Sequence, residues 1–364
     1  MHLSYCTNVH PAEDLDGIVA QFDEYAVAIR RHLDADVLGL GLWLAAPVAR
    51  ELAADPAARQ RLRRELDSRG LEVVTLNGFP YEAFQAPVVK HAVYHPDWTT
   101  RERLDYTLDL ARVLVDLLPD RAARGSISTL PLAWRAPWSA ARFAAAARHV
   151  DELAAGLADL ARSSGRPIRV GFEPEPGCVV ETTTQAATLL SGVDTEWLGI
   201  CLDLAHLACA WEEPVAALDR LRAANLPVVK VQVSAALEVL DPTVPAVREY
   251  VEPRFLHQTR SAAGPSADDL DEALAHRLPG PWRVHYHVPL HAAPAAPLTS
   301  TVPVLRAALR ELVARDACDH FDVETYTWGV LPAESRPRTA ADVAAGIAAE
   351  LAFAEKELST GVHT

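Results

Sequence analysis

An α/β fold, a closed parallel (β/α)8 barrel with an insertion between its last strands, is predicted by three features of this chain. Short apolar runs alternate with longer amphipathic ones along its length. Repeated strand–helix alternation of this kind builds a parallel sheet with helices outside. Several short runs, such as VLGLGLWL and PVVKVQVS, are apolar almost throughout, as strands covered on both faces must be. Four runs end on a carboxylate or a histidine, and a parallel barrel gathers its chemistry at the C-terminal strand ends. A length of 364 residues accommodates such a barrel as a single domain, 1–364.

The elements follow in order. Residues 2–8 read as a strand, and 13–33 as a helix with Leu15, Ile18, Val19, Phe22, Tyr25, Ala26 and Ile29 on one stripe. Strand 37–44 and helix 47–69 come next, then strand 72–79 and a long connection, 80–98. Thr99 or Thr100 caps a helix at 101–118 whose buried face carries Leu104, Leu108, Leu114 and Leu118. Strand 126–132, helix 139–164 and strand 168–173 continue the alternation, and Thr182-x-x-Gln185 has the spacing of a capping box. Strands 198–203 and 227–234 precede an irregular stretch. Strand 283–290, helix 302–315, strand 321–326 and helix 339–358 complete the chain. These are nine strand candidates where a closed barrel takes eight. Either 227–234 or 283–290 is therefore expected partly outside the barrel, within an insertion at 235–281. A doubly wound sheet is the fallback, but no Gly-rich phosphate loop follows the first strand.

Charge and cysteine usage narrow the function classes. A net charge of −15 without a basic stripe disfavours a nucleic-acid partner. Five cysteines with no CxxC pair suit a reducing cytoplasm. MHLSYCTNVHP lacks a basic region followed by an apolar stretch, so no secretory leader is expected. The longest apolar segments, about a dozen residues, fall short of the ~20 needed to cross a bilayer.

The chemistry concentrates in VGFEPEPG, GICLDLAHL, VHYHVPLH and FDVETYTW, which carry Glu173, Asp203 with His206, His285 with His287, and Glu324. Three carboxylates around one barrel mouth repel unless a cation or protons neutralise them. Carboxylates with one imidazole suit a hard or borderline divalent ion such as Mn²⁺, Mg²⁺, Co²⁺ or Zn²⁺. His285 and His287 are two apart and would point the same way on a strand, one a ligand and the other a substrate contact. By position alone, Asn77, Glu175, Lys230, Gln232 and Trp328 are candidate substrate contacts. For Lys230, a buried lysine paired with a carboxylate is the competing reading.

The order Glu, Asp-x-x-His, His, Glu resembles the xylose isomerase-like TIM barrel superfamily. That group holds sugar and sugar-phosphate isomerases and epimerases, inosose dehydratases and the endonuclease IV type of DNA-repair enzyme. NGFPYEAF, VYHPDW, FEPEPG, LDLAHLACAWE, FLHQT, HYHVPLH and ETYTW resemble its EboE group of metabolite-traffic or sugar-phosphate-isomerase-like proteins. The resemblance implies Glu173, Asp203 and Glu324 as metal ligands, Glu173 and Glu324 as acid and base, and His206 as a contact to a substrate oxygen. The superfamily's strand-seven histidine aligns with Gln232, whereas the distance from His287 to Glu324 also fits the family's spacing. His287 is favoured as the fourth ligand, with Gln232 donating a hydrogen bond in the pocket.

The resulting expectation is a divalent-metal-dependent isomerase or epimerase. It would act on a small sugar, sugar phosphate or cyclitol through an enediolate. The alternatives are a metal-dependent hydrolase and a non-catalytic metabolite-binding protein, the traffic label implying a membrane-associated pathway partner. Metal identity, substrate and oligomeric state stay open at this level.

Overall fold

The structure, a computed structural model, describes residues 1–360. Eight parallel strands close into a barrel: β1 (His2–Cys6), β2 (Leu38–Trp43), β3 (Leu71–Asn77), β4 (Gly125–Thr129), β5 (Ile168–Phe172), β6 (Leu198–Asp203), β7 (Val228–Val233) and, last in the ring, His320–Val323. That last strand pairs with both β7 and β1, and this closure excludes the doubly wound sheet. Helices such as Arg101–Leu117 and Ala140–Ser164 cover the outside. Leu40, Val73, Ile127, Val170, Ile200 and Val231 are fully buried in the strands. The capping box at Thr182 and Gln185 forms as its spacing predicts. Thr100 caps the 101–117 helix by position but lends no side-chain bond. Asp97 takes up the local donors instead, accepting from the Thr99 backbone amide at 2.9 Å.

The surplus strand lies outside the barrel. Five strands form an antiparallel sheet of their own: β8 (Ala236–Val239), β9 (Thr259–Ser261), β10 (Ser266–Ala267), β11 (Trp282–His287) and β12 (Thr299–Ser300), in the order β10-β9-β11-β8-β12. The barrel strand His320–Val323 is thus β13 in chain order. The excursion begins at the end of β7 and runs through β12, past the 281 boundary read from sequence. The β8–β11 register shifts between Val284 and His287, so the ladder is irregular where the two histidines sit.

The barrel interior below the mouth holds an ion pair. Lys230 on β7 meets Asp322 on β13 at 2.8 Å, both fully buried, and Ser4 on β1 donates to the same carboxylate at 2.6 Å. A Cβ at Gly41 on β2 would lie 2.0 Å from Asp322 Oδ2, so that position has room only for glycine. Lys230, a candidate substrate contact by position, is instead held in this pair and does not border the cavity. Trp328 is also placed elsewhere: its ring packs where a Cβ on Gly346 would fall and stacks near His291.

Candidate metal centre

Strand ends and one insertion strand bring the chemistry together. Glu173 follows β5, Asp203 ends β6, Glu324 follows β13, and His206 stands in the first turn of the helix Leu204–Cys209. His285 and His287 arrive on β11, from outside the barrel. All six are buried. One ligand atom from each residue falls within 4.8 Å of the others in three overlapping trios: Glu173–Asp203–His206, Asp203–His287–Glu324 and His206–His285–His287.

The hydrogen bonds fix which atoms are free. His287 Nδ1 faces the Glu324 carbonyl oxygen at 2.8 Å and must donate to it, leaving Nε2 as a bare acceptor. Among the described residues that Nε2 has no hydrogen-bond partner, and it lies 3.8 Å from Asp203 Oδ2, which also has none. Asp203 Oδ1 is satisfied by the His206 amide and the Ser234 hydroxyl, each at 2.8 Å. Glu173 Oε2 is unpartnered too, as are both amide atoms of Gln232, which pairs in register with Asp203. Gln232 was expected in the pocket, but neither it nor Asp203 borders the open cavity. Glu324 Oε1 accepts from the side-chain amides of Asn8 at 2.7 Å and Asn77 at 2.9 Å. A buried carbonyl-anchored imidazole with a free Nε2, facing unpaired carboxylate oxygens, is the donor set a divalent ion requires. The residues fit such an ion.

The electrostatics agree. Burial, reinforced by Asp203, pushes the Glu324 carboxyl up to about 8. Burial, Glu324 and Asp203 together hold Glu173 well above the ordinary carboxylate range. His287 is pushed down to about 4 by burial, so its imidazole is neutral at pH 7 and its lone pair is available. The nearby cation, Lys230, is already committed to Asp322.

A second network surrounds His206. Its Nδ1 donates to the Pro174 carbonyl at 2.9 Å, and its Nε2 lies 2.9 Å from His285 Nε2 and 3.1 Å from Glu175 Oε2. Burial alone would lower His206, but Asp203 and Glu175 outweigh it and raise its pKa. His285 moves the other way, lowered by burial and by His206, so His206 donates to it. His285 Nδ1 donates to Gln258 Oε1 at 2.7 Å, Gln258 donates to the Tyr94 hydroxyl at 2.6 Å, and Tyr94 donates to Glu175 at 2.9 Å. The chain of bonds ends at Glu175, which meets His206 again only as a charge contact. Burial pushes Glu175 up to about 7.

Asn8, Tyr94 and Gln258 were not found by sequence reasoning. Asn8 follows the first strand, a position where barrel chemistry gathers, and that was its only signal. Tyr94 and Gln258 sit in irregular segments with no spacing to mark them.

The cavity above these groups measures about 50 Å³. Phe84, Val89, Lys90 and Tyr94 from the 80–98 connection roof it on one side, with Phe255 and Leu256 of the insertion on the other. Lys90 latches the two, pairing with Asp269 and donating to the Phe255 carbonyl at 2.7 Å. The backbone amides of Val89 and Lys90 both donate to the Arg254 carbonyl, at 2.7 and 2.9 Å.

The sequence profile of the xylose isomerase-like TIM barrel family matches residues 31–257. No curated protein sequence matches the chain. Among solved structures, a xylose isomerase-like TIM barrel protein of Mycobacterium smegmatis in complex with magnesium superposes with a TM-score of 0.57 at 14% identity, over 99% of this chain and 97% of that one. The D-allulose 3-epimerase of a Methylomonas species gives 0.55 at 12% identity, over 98% of each chain. A xylose isomerase domain protein of Alicyclobacillus acidocaldarius gives 0.54 at 16%, over 99% of each. These likenesses concern the fold. Among the described residues, no helix is long and apolar enough to cross a membrane.

Proposed function

Because the chain belongs to the xylose isomerase-like TIM barrel family, we propose that it is a divalent-metal-dependent isomerase or epimerase of a small polyhydroxylated carbonyl compound. The observation that carries this reading is the convergence of unpaired, buried donor atoms on Glu173, Asp203 and His287, beside Glu324. A divalent ion bound there would polarise a carbonyl or hydroxyl oxygen of the substrate.

The protein's own groups supply the rest. Glu173 and Glu324 stand on either side of β6 and β7, so a substrate over Asp203 has a carboxyl group on each flank. One removes a proton next to the carbonyl and the other returns one. Asn8 and Asn77 hold Glu324 by one oxygen and leave Oε2 for the substrate. His206, anchored to the Pro174 carbonyl through Nδ1, borders the cavity, and a substrate oxygen would take its Nε2 hydrogen in place of His285. Phe79, Tyr94, Phe255 and Tyr326 form an apolar wall suited to one face of a sugar or cyclitol.

The test is divalent metal content after purification, followed by solvent deuterium exchange into ketopentoses, ketohexoses and cyclitol ketones. Glu173→Gln and Glu324→Gln should each abolish exchange. A protein that binds no divalent ion at neutral pH removes this reading. A second reading, a metabolite carrier of the EboE type, is favoured by the small size of the cavity, about 50 Å³. Tight binding of a cyclitol or sugar without exchange of its protons would select the carrier.

A further inference from the structure

The opposite end of the barrel carries a larger cavity, about 350 Å³, bordered by Arg169, Arg222 and Arg315. Arg169 is the second residue of the strand that ends before Glu173. At ~3.3 Å per residue the two lie roughly 13 Å apart along β5, so this cavity is separate from the metal centre.

The charges here are unbalanced. Arg315 is paired with Asp219 at 2.6 Å and Glu311 at 3.1 Å. Arg169 has no carboxylate partner among the described residues. Its Nη2 donates to the Thr195 carbonyl at 2.7 Å, and its buried Nε finds no acceptor. Burial, and then the neighbouring Arg124, lower the Arg169 pKa, and Asp319 and Glu196 offset them only in part. Arg222 is exposed and makes no ion pair or side-chain hydrogen bond among the described residues. Among the described residues no carboxylate borders the cavity, although the chain carries a net charge of −15. Leu218, Leu221 and Leu226 supply an apolar wall.

We propose that this cavity binds a small organic anion with a compact apolar body, an aryl or branched alkyl phosphate or carboxylate. Arg169 and Arg222, neither in an ion pair, recognise the anionic head, since their planar forks match both carboxylate and phosphate oxygens. The leucines cover the body. A volume of about 350 Å³ exceeds what a bare inorganic anion fills and lies in the range of small-molecule sites.

Calorimetric titration of the 364-residue chain with phenyl phosphate, benzoate, inorganic phosphate and benzyl alcohol tests this. One saturable site for phenyl phosphate or benzoate is expected, and the tighter of the two names the head group. Inorganic phosphate and benzyl alcohol should each bind at least about tenfold more weakly. Arg169→Gln and Arg222→Gln should each weaken binding by at least about tenfold. Arg222 is exposed, so its variant reports even if Arg169→Gln fails to fold. The proposal is overturned if neither organic anion saturates, if both variants bind as the parent does, or if benzyl alcohol binds as tightly as benzoate.

Discussion

His287 Nε2 stands 3.8 Å from Asp203 Oδ2, and neither atom has a hydrogen-bond partner among the described residues. One belongs to the insertion sheet and the other to a barrel strand. Two bare acceptors in a buried site repel, and a cation between them removes the repulsion. His287→Ala and Asp203→Asn should each lower Co²⁺ or Mn²⁺ affinity by more than the about 10–100-fold that loss of an outer-shell partner costs. Because an ion must displace the proton that Glu324 retains up to about 8, affinity should rise with pH up to that value. Titrations at several pH values check both; affinity independent of pH contradicts the assignment.

Asn8 acts through Glu324. Its side-chain amide is one of two donors on Glu324 Oε1. Asn8→Ala should therefore weaken the divalent ion by about 10–100-fold while thermal stability changes little. Parallel measurements of metal affinity and melting temperature separate this from general destabilisation. Unchanged affinity would remove Asn8 from the site.

Lys230 answers to stability. Its partner Asp322 is fully buried, and removing one member strands the other charge. Lys230→Met should cost about 3–5 kcal/mol in urea unfolding. Replacing Asp322 by Leu in the same chain should recover much of that loss. If Lys230→Met unfolds like the parent yet loses a ligand, the lysine is a binding residue after all.

The roof is predicted to open through the Lys90–Asp269 latch. Asp269→Asn weakens it by removing one charge. Amide exchange across 80–98 should quicken, and a chelator should strip a bound ion faster, with equilibrium metal affinity little changed. Identical stripping rates would mean that the roof opens elsewhere.

Glu350 sets a pH dependence of stability. It is buried in the last helix, Ala340–Thr360, accepting from Thr325 at 2.7 Å and the Leu290 amide at 3.0 Å. Burial pushes its carboxyl up from 4.5 to about 8. Between these values the folded chain holds a proton that the unfolded chain has lost. Its stabilising contribution is full below the unfolded value and is lost as pH rises through about 8. Glu350→Gln, which cannot ionise, should gain melting temperature relative to the parent as pH rises from ~5 to ~9. A difference that stays flat across that range sinks this account.

The alternation of apolar runs was enough to read a parallel barrel, because period and length report how each segment is covered. They do not report what a segment pairs with. Residues 283–290 therefore could not be told from a barrel strand such as 227–234: β11 is nearly as buried as β7, but antiparallel neighbours bury it. The two-residue strand Thr299–Ser300 is too short to leave a pattern, so the far edge of the insertion was not visible. Glu173, Asp203 and Glu324 were legible because a carboxylate closing an apolar run is conspicuous. Asn8 and Gln258 were not, since a neutral amide in a turn is ordinary until the fold shows what it touches. Lys230 and Trp328 looked inward by position, and only the packing of Asp322 and Gly346 shows where they go.

A barrel that borrows a donor from a peripheral sheet gains a cross-link when that donor is engaged. An ion shared by Asp203 and His287 would fasten β11 to the barrel mouth, and with it the Phe255–Leu256 half of the roof. By mass action, the cohesion of the whole peripheral sheet then depends on the free concentration of the ion. In this molecule, metal supply and the anchoring of the structure above the cavity would be one equilibrium, adjustable from outside the chain.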